Sequence, residues 1–541
     1  MRTTASVTGT VTALPDALLD ASTWAPRAGR VELRETHISW VFMAGDTVLK
    51  VKKPLALPFV DYSTLERRRR FCHEEVRLNR RLAPSVYRGV RALVAAAGGG
   101  LRLADEDDPA AVEYAVEMRR FDEDATLAAR LERGEVSFER LAEIGARIAR
   151  FHAEVPAVLD GGSSARFEAL LAETLDSLRD LGAGRALAGP ARFCREALAG
   201  RRTQLERREA EGRVRDGHGD LRAEHVLLER DIEVVDCVEF NPAMRAMDAS
   251  ADLAFLIMDA GRHGFTTASA LLSGYREAGG DPGDEGLICL FAAYRALVRA
   301  KVELVRAGQL SGPPRDQHER AAEAQLALAG QWAWRGRLAG VVVLAGLSGS
   351  GKSTLARALG DASGREVLAA DVVRKARLGL APAQRADASA YARGVSREVY
   401  GELGGRAAAI AARDGGALVD ATCRRREDRD ALRAEADTLF VECHAPEEVL
   451  LARVRARAGD PDRVSDADEA VLRRQLERAE PLAELPPERR LALDTTRPVP
   501  ELLPALAQML DARLGRAEDA GGHAYAPIGA SAPPARPASR S

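Results

Sequence analysis

The order of apolar and polar positions along the first part of the chain predicts strands followed mainly by helices. Alternating positions indicate strands, whereas a spacing of three to four indicates helices. The pattern predicts a β-hairpin over 31–53, a charged helix over 64–82, a strand over 111–118, helices from 127 to about 335, and a strand–loop–strand unit among them at 213–240. This order is that of an α+β domain.

The pattern changes at an apolar, Val-rich strand predicted over 338–345. A glycine-rich turn follows it, and strands then alternate with helices to about residue 515, which indicates an α/β fold with a parallel sheet. Composition also changes near 331–340. We therefore predict an N-terminal domain over 1–335, a C-terminal domain over 336–515, and a disordered tail over 516–541 that is rich in Pro, Ala, Ser and Gly.

Composition and charge are typical of a soluble, multidomain globular protein. The 541 residues are 46% hydrophobic and 29% charged, and the net charge of −3 gives no overall basic field for a nucleic-acid backbone. Arginine runs at 67–70 and 424–426 leave a nucleic-acid end kinase as a third, disfavoured hypothesis. Scattered cysteines without CxxC spacing, and the lack of a long apolar stretch, predict a cytoplasmic protein without membrane contact.

A phosphate-binding loop follows the Val-rich strand. The segment satisfies the pattern GxxxxGK[ST], and a predicted helix comes directly after it. Glycines allow backbone N–H groups to converge on phosphate oxygens, the lysine neutralises phosphate charge, and the next hydroxyl suits Mg²⁺. The loop residues are Gly346, Leu347, Ser348, Gly349, Ser350, Gly351, Lys352, Ser353 and Thr354, with Ser353 as the predicted magnesium ligand.

The residues beyond this loop resemble those of the small P-loop kinases, which transfer phosphate to a small acceptor. The resemblance implies that Asp371 orients or deprotonates the acceptor hydroxyl and that Arg374 binds the acceptor. A helix N-cap is the alternative for Asp371. Asp420 ends an apolar strand, where it would hold the water shell of magnesium. No Asn-Lys-x-Asp motif for guanine occurs, so ATP is the expected nucleotide.

Arg453 and Arg457 lie four residues apart on a further predicted helix and therefore share one face. This arrangement resembles the mobile lid of nucleotide kinases, in which arginines cover the transferring phosphate. In a chain this rich in arginine, a solvated helix face is the alternative interpretation.

A second group of residues, His218-Gly219-Asp220 followed by Asp236, resembles the aminoglycoside-phosphotransferase branch of the protein-kinase-like fold. The resemblance implies that Asp220 positions or deprotonates the acceptor hydroxyl and that Asp236 chelates the metal on ATP. The sequence departs from that family five residues after Asp220, where His225 replaces the usual Asn metal ligand. Imidazole is a poor ligand for Mg²⁺, so His225 either weakens one metal site or has another role.

Residues nearer the N-terminus fit the same resemblance. It places Lys50 on the α- and β-phosphates and makes Glu75 the partner of that lysine. Lys52 shares a strand face with Lys50 and is a rival for the same role. Glu117 and Met118 would form the hinge that binds adenine through its backbone.

Further segments strengthen one particular resemblance, namely residues 36–42, 50–54, 75–82 and 252–256. Together with the C-terminal phosphate loop, they resemble a bacterial family described as bifunctional aminoglycoside phosphotransferase/ATP-binding proteins. The resemblance covers about residues 30–515. It implies a protein-kinase-like α+β domain fused to an α/β P-loop NTPase domain.

The main prediction is an ATP-dependent phosphotransferase with two nucleotide sites and Mg²⁺, which transfers γ-phosphate to small hydroxyl acceptors. The alternative is a P-loop ATPase or kinase whose N-terminal domain is a pseudokinase that binds a ligand or partner. The acidic runs at 105–108 and 122–124 are more typical of solvated loops than of a pocket for polycations, so we do not predict antibiotic resistance. The sequence identifies neither acceptor and does not indicate the oligomeric state.

Overall fold

The computed structural model describes residues 14–24, 30–57, 60–97, 100–434, 436, 438–457 and 465–516. The tail predicted to be disordered lies outside these residues, apart from residue 516. The chain divides into two compact units. The first consists of residues up to 163 together with 208–282, and the second consists of 164–207 together with the residues from 283 onward.

The first unit combines short strands with helices. Its strands in the described chain are β1 (Glu32–Glu35), β2 (Ser39–Ala44), β3 (Thr47–Lys52), β4 (Ala56–Leu57), β5 (Val60–Asp61), β6 (Tyr87–Ala95), β7 (Leu101–Ala104), β8 (Ala111–Arg119), β9 (Val214–Asp216), β10 (Val226–Leu228), β11 (Ile232–Val234) and β12 (Ala246–Asp248). Its helices there are α1 (Leu14–Leu19), α2 (Leu65–Asn79), α3 (Leu127–Glu132), α4 (Phe138–Glu154), α8 (Ala249–Gly261) and α9 (Phe265–Glu277).

Within the described residues, one antiparallel sheet of this unit has the strand order β1-β2-β3-β8-β6-β7. The predicted hairpin is confirmed, because β2 pairs with β3 around a turn at Gly45, whose φ of 59° suits glycine. Helix α2 begins after Thr64, whose hydroxyl accepts a hydrogen bond from Arg67 N at 3.2 Å. Its apolar residues pack on the sheet face that carries Val48. Lys50 and Lys52 share that face by strand alternation, so α2 brings Glu75 to both of them.

Helices α4 and α9 pack together at two glycines. A Cβ on Gly145 would lie 2.0 Å from Leu271 O, and one on Gly274 would lie 1.9 Å from Ala142 O. Only glycine permits this close approach of the two backbones. The short ribbons β9–β12 and β10–β11 lie in the same unit and frame the segment that contains the His-Gly-Asp motif.

The second unit contains a parallel sheet with helices. Its strands in the described chain are β13 (Gly340–Ala345), β14 (Val367–Ala369), β15 (Gly416–Ala421), β16 (Thr438–His444) and β17 (Arg490–Asp494). Its helices there are α5 (Ser163–Asp180), α6 (Gly184–Ala199), α7 (Arg202–Ala210), α10 (Glu285–Gly308), α11 (Pro313–Arg337), α12 (Lys352–Ser363), α13 (Ala370–Arg377), α14 (Arg393–Asp414), α15 (Arg426–Arg433), α16 (Glu447–Ala456), α17 (Glu469–Arg478) and α18 (Val499–Gly515); α5 and α7 extend slightly past the division.

The order of the parallel strands is β14-β15-β13-β16-β17, which confirms the predicted α/β fold. The central strand, β13, is almost wholly buried because it has an apolar core on each face. Val343 belongs to one core and Val342 to the other. This accounts for the unbroken apolar run that the sequence shows there.

Helices α10 and α11 lie before the predicted boundary at 335/336, yet they belong to the second unit. Arg337, near the end of α11, is buried and donates to Asp511 Oδ1 of α18 at 2.7 Å. Arg335 donates to Asp414 O at 2.9 Å. The two divisions differ because these helices are held by buried polar pairs, which a change in composition does not reveal.

None of the helices that the structure describes is long and apolar enough to cross a membrane. The six cysteines all lie in described segments, and each is a buried free thiol. Cys237 directly follows the predicted metal ligand Asp236 in the chain. Burial raises the pKa of the Cys237 thiol to about 12, so this side chain is a packed small residue rather than a nucleophile.

Candidate active sites

The phosphate loop connects the end of β13 to the start of α12. Gly349 and Gly351 have φ values of 85° and 82°, in the left-handed region that favours glycine. A Cβ on Gly349 would lie 2.7 Å from Leu450 O, so a side chain there would meet backbone. Helix α12 begins at Lys352, so its first N–H groups face the loop. Lys352 is partly exposed and Ser353 is exposed, which leaves both side chains accessible to a phosphate and its metal.

Other residues hold this loop from outside. Arg453 donates to Gly349 O at 3.3 Å and to Thr495 O at 2.7 Å. Thr495 in turn donates from its hydroxyl to Ser350 O at 2.6 Å. Arg453 therefore supports the loop from α16. Thr495 gave no signal in the sequence, because its contact with the loop depends on the parallel pairing of β16 with β17.

The predicted lid lies only partly in the described chain. Arg457 follows the last residue of α16 and donates to Arg453 O at 3.3 Å. Residues 458–464 lie outside the described residues. The covering role predicted for Arg453 and Arg457 therefore stays a prediction.

Asp371 and Arg374 lie in α13, directly after β14. The N-cap of α13 is Ala369, so the alternative that Asp371 caps this helix is wrong. Arg374 donates to Asp371 Oδ1 at 2.9 Å, and its Nε is buried without a hydrogen-bond partner. Burial raises the pKa of Asp371; Arg374 and Lys352 partly offset this increase. The result is a carboxyl group suited to taking up a proton.

Asp420 is the penultimate residue of β15, and its neighbour in β13 is Leu344. Its charge raises the pKa of Asp371, so the two carboxyl groups act on each other. Asp420 Oδ1 is buried and has no hydrogen-bond partner. An unpartnered carboxylate oxygen beside the phosphate loop fits Mg²⁺ or its water shell.

A polar cluster that sequence reasoning missed adjoins Asp371. Asp466 lies 3.1 Å from Lys375 Nζ and accepts a hydrogen bond from Tyr391 OH at 2.8 Å. The Tyr391 ring lies 4.6 Å from the Arg374 guanidinium. The one available signal was Lys375 itself, which is one of six lysines in a chain dominated by arginine. The cluster fixes the wall of the site next to the predicted acceptor residues.

In the first unit, the predicted phosphate-binding lysine contacts its expected partner Glu75 and also Asp236. Lys50 Nζ lies 2.8 Å from Glu75 Oε1 and 2.8 Å from Asp236 Oδ1. Burial lowers the pKa of Lys50, but Asp236 and Glu75 outweigh burial and raise it well above its ordinary value. Lys50 lowers the pKa of Asp236 in turn, more than burial raises it. Both groups are therefore charged at neutral pH.

Lys52 joins the same cluster from the buried side. Its Nζ lies 2.8 Å from Glu75 Oε2 and also contacts Glu239, which accepts a hydrogen bond from Tyr62 OH at 2.7 Å. The Lys52 side chain is fully buried, whereas that of Lys50 is 15% exposed. The two lysines therefore have different roles: Lys50 faces the site, whereas Lys52 holds Glu75 from the buried side.

Asp220 lies at the centre of the loop between β9 and β10. Its side chain is 28% exposed and accepts a hydrogen bond from Arg222 Nε at 3.2 Å. His225 Nδ1 lies 2.9 Å from Asp220 O, and His225 Nε2 lies 3.7 Å from Asp236 Oδ2. Sequence reasoning did not assign a role to Arg222, although its position two residues after Asp220 in a polar loop could have indicated one. It brings positive charge to the acceptor side of the site.

Helix α8 holds this loop with two aspartates that sequence reasoning did not assign. Asp252 accepts hydrogen bonds from His218 N at 2.7 Å and Gly219 N at 3.0 Å, while Asp259 accepts from Ala223 N at 2.9 Å. The aspartates are seven residues apart and so lie on one helix face. In the sequence, the two aspartates could have been recognised as acidic residues within an otherwise apolar helix.

Asp252 is itself fixed by residues of α4 and α9. It is fully buried and lies 3.2 Å from His152 Nε2, and His152 Nδ1 lies 2.9 Å from Tyr275 OH. Burial raises the pKa of Asp252, but hydrogen bonds from His152 and the loop outweigh it and lower the pKa well below its usual range. His218 is also fully buried, and burial lowers its pKa to about 4. His218 is therefore neutral and supports the loop.

Asp236 has a left-handed backbone with φ of 65°, which is uncommon for a residue other than glycine. Two neighbouring hydrogen bonds hold it there: Asp236 N donates to Tyr87 OH at 3.2 Å, and Cys237 N donates to Asn79 Oδ1 at 2.9 Å. This conformation directs the carboxylate to Lys50. Strain of this kind is typical of functional positions.

Glu117 and Met118 do not lie where the predicted adenine-binding hinge requires them. Glu117 and Met118 are inside β8, where they pair with β3 on one side and β6 on the other. Met118 is buried in the apolar core, and β8 ends only at Arg119. Because their backbone is engaged in the sheet, a hinge would have to begin after Arg119. The sequence misplaced it because strand ends are not marked by apolar pattern alone.

The carboxylates and imidazole of the first unit fit a divalent cation. Asp220, His225 and Asp236 can each offer one donor atom, and these atoms lie within 4.8 Å of one another. Two oxygens and one nitrogen form a donor set that binds divalent metals. In the second unit, Ser353 and Asp420 provide oxygen donors that suit Mg²⁺.

Comparison with known proteins places both units in context. A family model described as an AAA domain matches residues 341–482. The uncharacterized protein Rv2004c of Mycobacterium tuberculosis is 32% identical over 477 residues, which are 82% of this chain and 90% of the relative. The uncharacterized protein Mb2027c of Mycobacterium bovis matches to the same extent, with 32% identity over 477 residues.

Solved structures also resemble parts of the chain. A gluconokinase from Sinorhizobium meliloti is 28% identical, with a TM-score of 0.26, and the match covers 35% of this chain and 99% of that one. A choline/ethanolamine kinase family protein from Mesorhizobium loti is 16% identical, with a TM-score of 0.34, and the match covers 60% of this chain and 99% of that one.

The match to the mycobacterial proteins spans both the His-Gly-Asp unit and the phosphate loop, since it covers 82% of this chain. The chain therefore belongs to the family of Rv2004c, which is the family predicted from its motifs: an aminoglycoside-phosphotransferase-like N-terminal domain joined to a P-loop domain.

Proposed function

We propose that the protein is an ATP-dependent phosphotransferase with two nucleotide sites, each of which transfers γ-phosphate to a hydroxyl group of a small acceptor. One observation carries the proposal: each unit brings together a lysine and two aspartates in different surroundings. In the first unit Lys50 contacts Asp236, whose carboxylate lies near that of Asp220, and in the second the charges of Lys352 and Asp420 both act on Asp371. Phosphoryl transfer requires one carboxylate for the metal and another for the acceptor.

In the C-terminal site, the loop N–H groups and Lys352 bind phosphate oxygens. Ser353 and Asp420 would hold Mg²⁺, which neutralises charge on the phosphates when bound. Asp371 accepts the proton of the acceptor hydroxyl, and its raised pKa suits that role. Arg374 orients Asp371 through its 2.9 Å hydrogen bond.

In the N-terminal site, Glu75 holds Lys50 where its ammonium group can bind phosphate oxygens. Asp236 would hold the metal. Asp220 orients the acceptor hydroxyl and accepts its proton, while Arg222, which contacts Asp220 at 3.2 Å, provides positive charge for the transferring phosphoryl group. Helix α8 keeps Asp220 in place by fixing the backbone on both sides of it.

A second candidate function rests on the same loop. Arg222 contacts Asp220 and also lies 3.1 Å from His225 Nε2, so a cation of the protein already lies among the predicted acceptor and metal groups. If this contact persists in solution, the N-terminal unit is a pseudokinase that binds a ligand or partner, and the P-loop unit alone turns over ATP.

We do not propose that the protein binds nucleic acid. Most of the arginine run at 67–70 is neutralised within the protein: Arg68 lies 2.8 Å from Glu113, Arg69 lies 2.6 Å from Asp107, and Arg67 contacts Asp61. Paired arginines offer little charge for counterion release on a nucleic-acid backbone.

The experiment that tests the proposal is calorimetric titration of the full chain with Mg·ATP. The variants are Lys50→Ala and Lys352→Ala. Matched controls are Lys53→Ala, whose ammonium pairs with Glu35 at 2.6 Å outside the Lys50 cluster, and Lys301→Ala, which pairs with Glu173 at 2.7 Å in the second unit.

We expect two binding events in the wild type and both controls, and one event in each of Lys50→Ala and Lys352→Ala. A single event that disappears only in Lys352→Ala would overturn the two-site proposal and favour the pseudokinase. Unchanged binding in Lys352→Ala would overturn the assignment of the phosphate loop itself.

A further inference from the structure

The hydrogen bonds of His225 define which of its nitrogens carries the proton. Nδ1 lies 2.9 Å from Asp220 O, and a carbonyl oxygen can only accept, so Nδ1 carries the proton. Arg222 Nη2 lies 3.1 Å from Nε2, and a guanidinium can only donate, so Nε2 bears the lone pair. Both contacts therefore require the same neutral tautomer. A backbone carbonyl bound to one nitrogen is the arrangement that orients histidine ligands of metals.

His225 Nε2 also lies close to the predicted metal carboxylate. Nε2 lies 3.7 Å from Asp236 Oδ2, a separation that one metal ion can bridge, and the set that could hold a metal includes Asp220 as well. His225 is buried, so the ring is held in place by its surroundings. In the described structure Arg222 provides the positive charge next to this lone pair.

Resting on the proposed nucleotide site of the first unit, we infer that this site selects a first-row transition-metal dication, for which Mn²⁺ serves as the probe, over Mg²⁺, with His225 Nε2 as a direct ligand beside Asp236. Mg²⁺ prefers oxygen ligands and dehydrates reluctantly, whereas Mn²⁺ lies at the start of a series whose members accept imidazole increasingly well. The P-loop site has Ser353 and Asp420 as oxygen donors and keeps a preference for Mg²⁺. The two units would thus respond to different metals.

Metal coordination can be read without measuring turnover. The test uses the full chain carrying Lys352→Ala, so that the phosphate loop binds no nucleotide, with MnCl₂ and a non-hydrolysable ATP analogue. Pulsed electron paramagnetic resonance of Mn²⁺ detects a directly bound imidazole nitrogen. Growth with ¹⁵N-histidine changes that nitrogen signal without altering any residue, so the reading does not depend on whether a variant folds.

We expect a histidine nitrogen coupling that persists in His263→Asn, a control at an exposed histidine of the same unit, and disappears in His225→Asn. We also expect Mg²⁺ to displace Mn²⁺ from His225→Asn at a concentration at least about tenfold lower, since even second-shell partners change metal affinity by ~10–100-fold.

The two proposals fail in different ways. If the analogue and Mn²⁺ bind without a histidine nitrogen coupling, the metal inference is overturned and the phosphotransferase proposal stands. If the analogue does not bind to the Lys352→Ala chain at all, the N-terminal nucleotide site and the metal inference are both overturned. Equal displacement by Mg²⁺ in wild type and His225→Asn likewise contradicts metal selection by His225.

Discussion

The ammonium group of Lys50 and the carboxylate of Asp236 lie 2.8 Å apart although 186 residues separate them in the chain. This contact joins the antiparallel sheet to the His-Gly-Asp loop, and Glu75 completes it from α2. It gives the first unit the three charges that we propose bind nucleotide phosphates and metal.

Lys50 and Lys52 should differ in the consequence of their loss. Lys50→Met should abolish nucleotide binding at the first unit with little loss of stability. Lys52→Met should destabilise that unit by roughly 3–5 kcal/mol, because it leaves Glu239 buried without its cationic partner. Calorimetric ATP titration and hydrogen exchange of the 47–79 segment measure the two effects. Equal loss of stability in both variants would contradict the division of roles.

Asp220→Asn and Asp371→Asn should each lower ATP turnover at their own site by ~10²–10⁴-fold, because each removes the group that handles the acceptor proton. Hydrolysis with water as acceptor is the measurement that needs no identified acceptor. Asp220→Asn is assayed in a Lys352→Ala chain and Asp371→Asn in a Lys50→Ala chain, so that each site is observed by itself. A reduction below tenfold would contradict the assigned role.

The P-loop site should lose activity on acidification sooner than an ordinary aspartate would allow. Burial raises the pKa of Asp371, so this group takes up a proton at a higher pH and ceases to act as a base as pH falls through that value. Arg374→Gln removes a charge that lowers the pKa, so the acidic limb should move to still higher pH. The pH profile of ATP hydrolysis in a Lys50→Ala chain measures both effects. An acidic limb that lies at the same pH with and without Arg374→Gln argues against Asp371 as the base.

His218 should make the first unit less stable in mild acid. Its pKa is about 4 in the folded protein against 6.5 ordinarily, so the unfolded chain binds a proton first as pH falls. The stabilisation is complete above pH 6.5 and is lost as the pH falls to about 4. The loss amounts to roughly 3 kcal/mol, at ~1.4 kcal/mol per pKa unit. Hydrogen exchange of the 217–225 loop against pH measures this. His218→Gln should make hydrogen exchange of this loop less dependent on pH, whereas His263→Gln should not. Identical pH profiles for the wild type and His218→Gln would refute the link between His218 protonation and stability.

Arg453→Ala should weaken ATP binding at the phosphate loop roughly tenfold, or about 1.4 kcal/mol, because Gly349 O and Thr495 O lose their donor. Arg455→Ala is the matched control, since Arg455 lies on the same helix, is exposed and pairs with Glu469 at 2.7 Å. Calorimetric titration in a Lys50→Ala chain compares the two. Similar affinities in both variants would mean that Arg453 does not align the loop.

Local patterns were enough to predict the main elements of both units. The β2–β3 hairpin, the strand before the phosphate loop and the parallel sheet are encoded by neighbouring residues, because alternation and glycine placement act within a few positions. The phosphate loop is likewise local, since one strand, one turn and one helix suffice to build it. Where an element ends is less well encoded, and for this reason the hinge was placed inside β8.

Sequence patterns alone were sufficient to predict the two fold types, the phosphate loop and the candidate residues Asp220, Asp236 and Lys50. The contacts of Glu75 with both Lys50 and Lys52, and the hydrogen bonds by which Asp252 holds the His218 loop, become visible only in the folded chain. The physical reason is that burial and ion pairing depend on distances between segments far apart in the chain. Such distances exist only after packing, and no periodic pattern in the sequence records them.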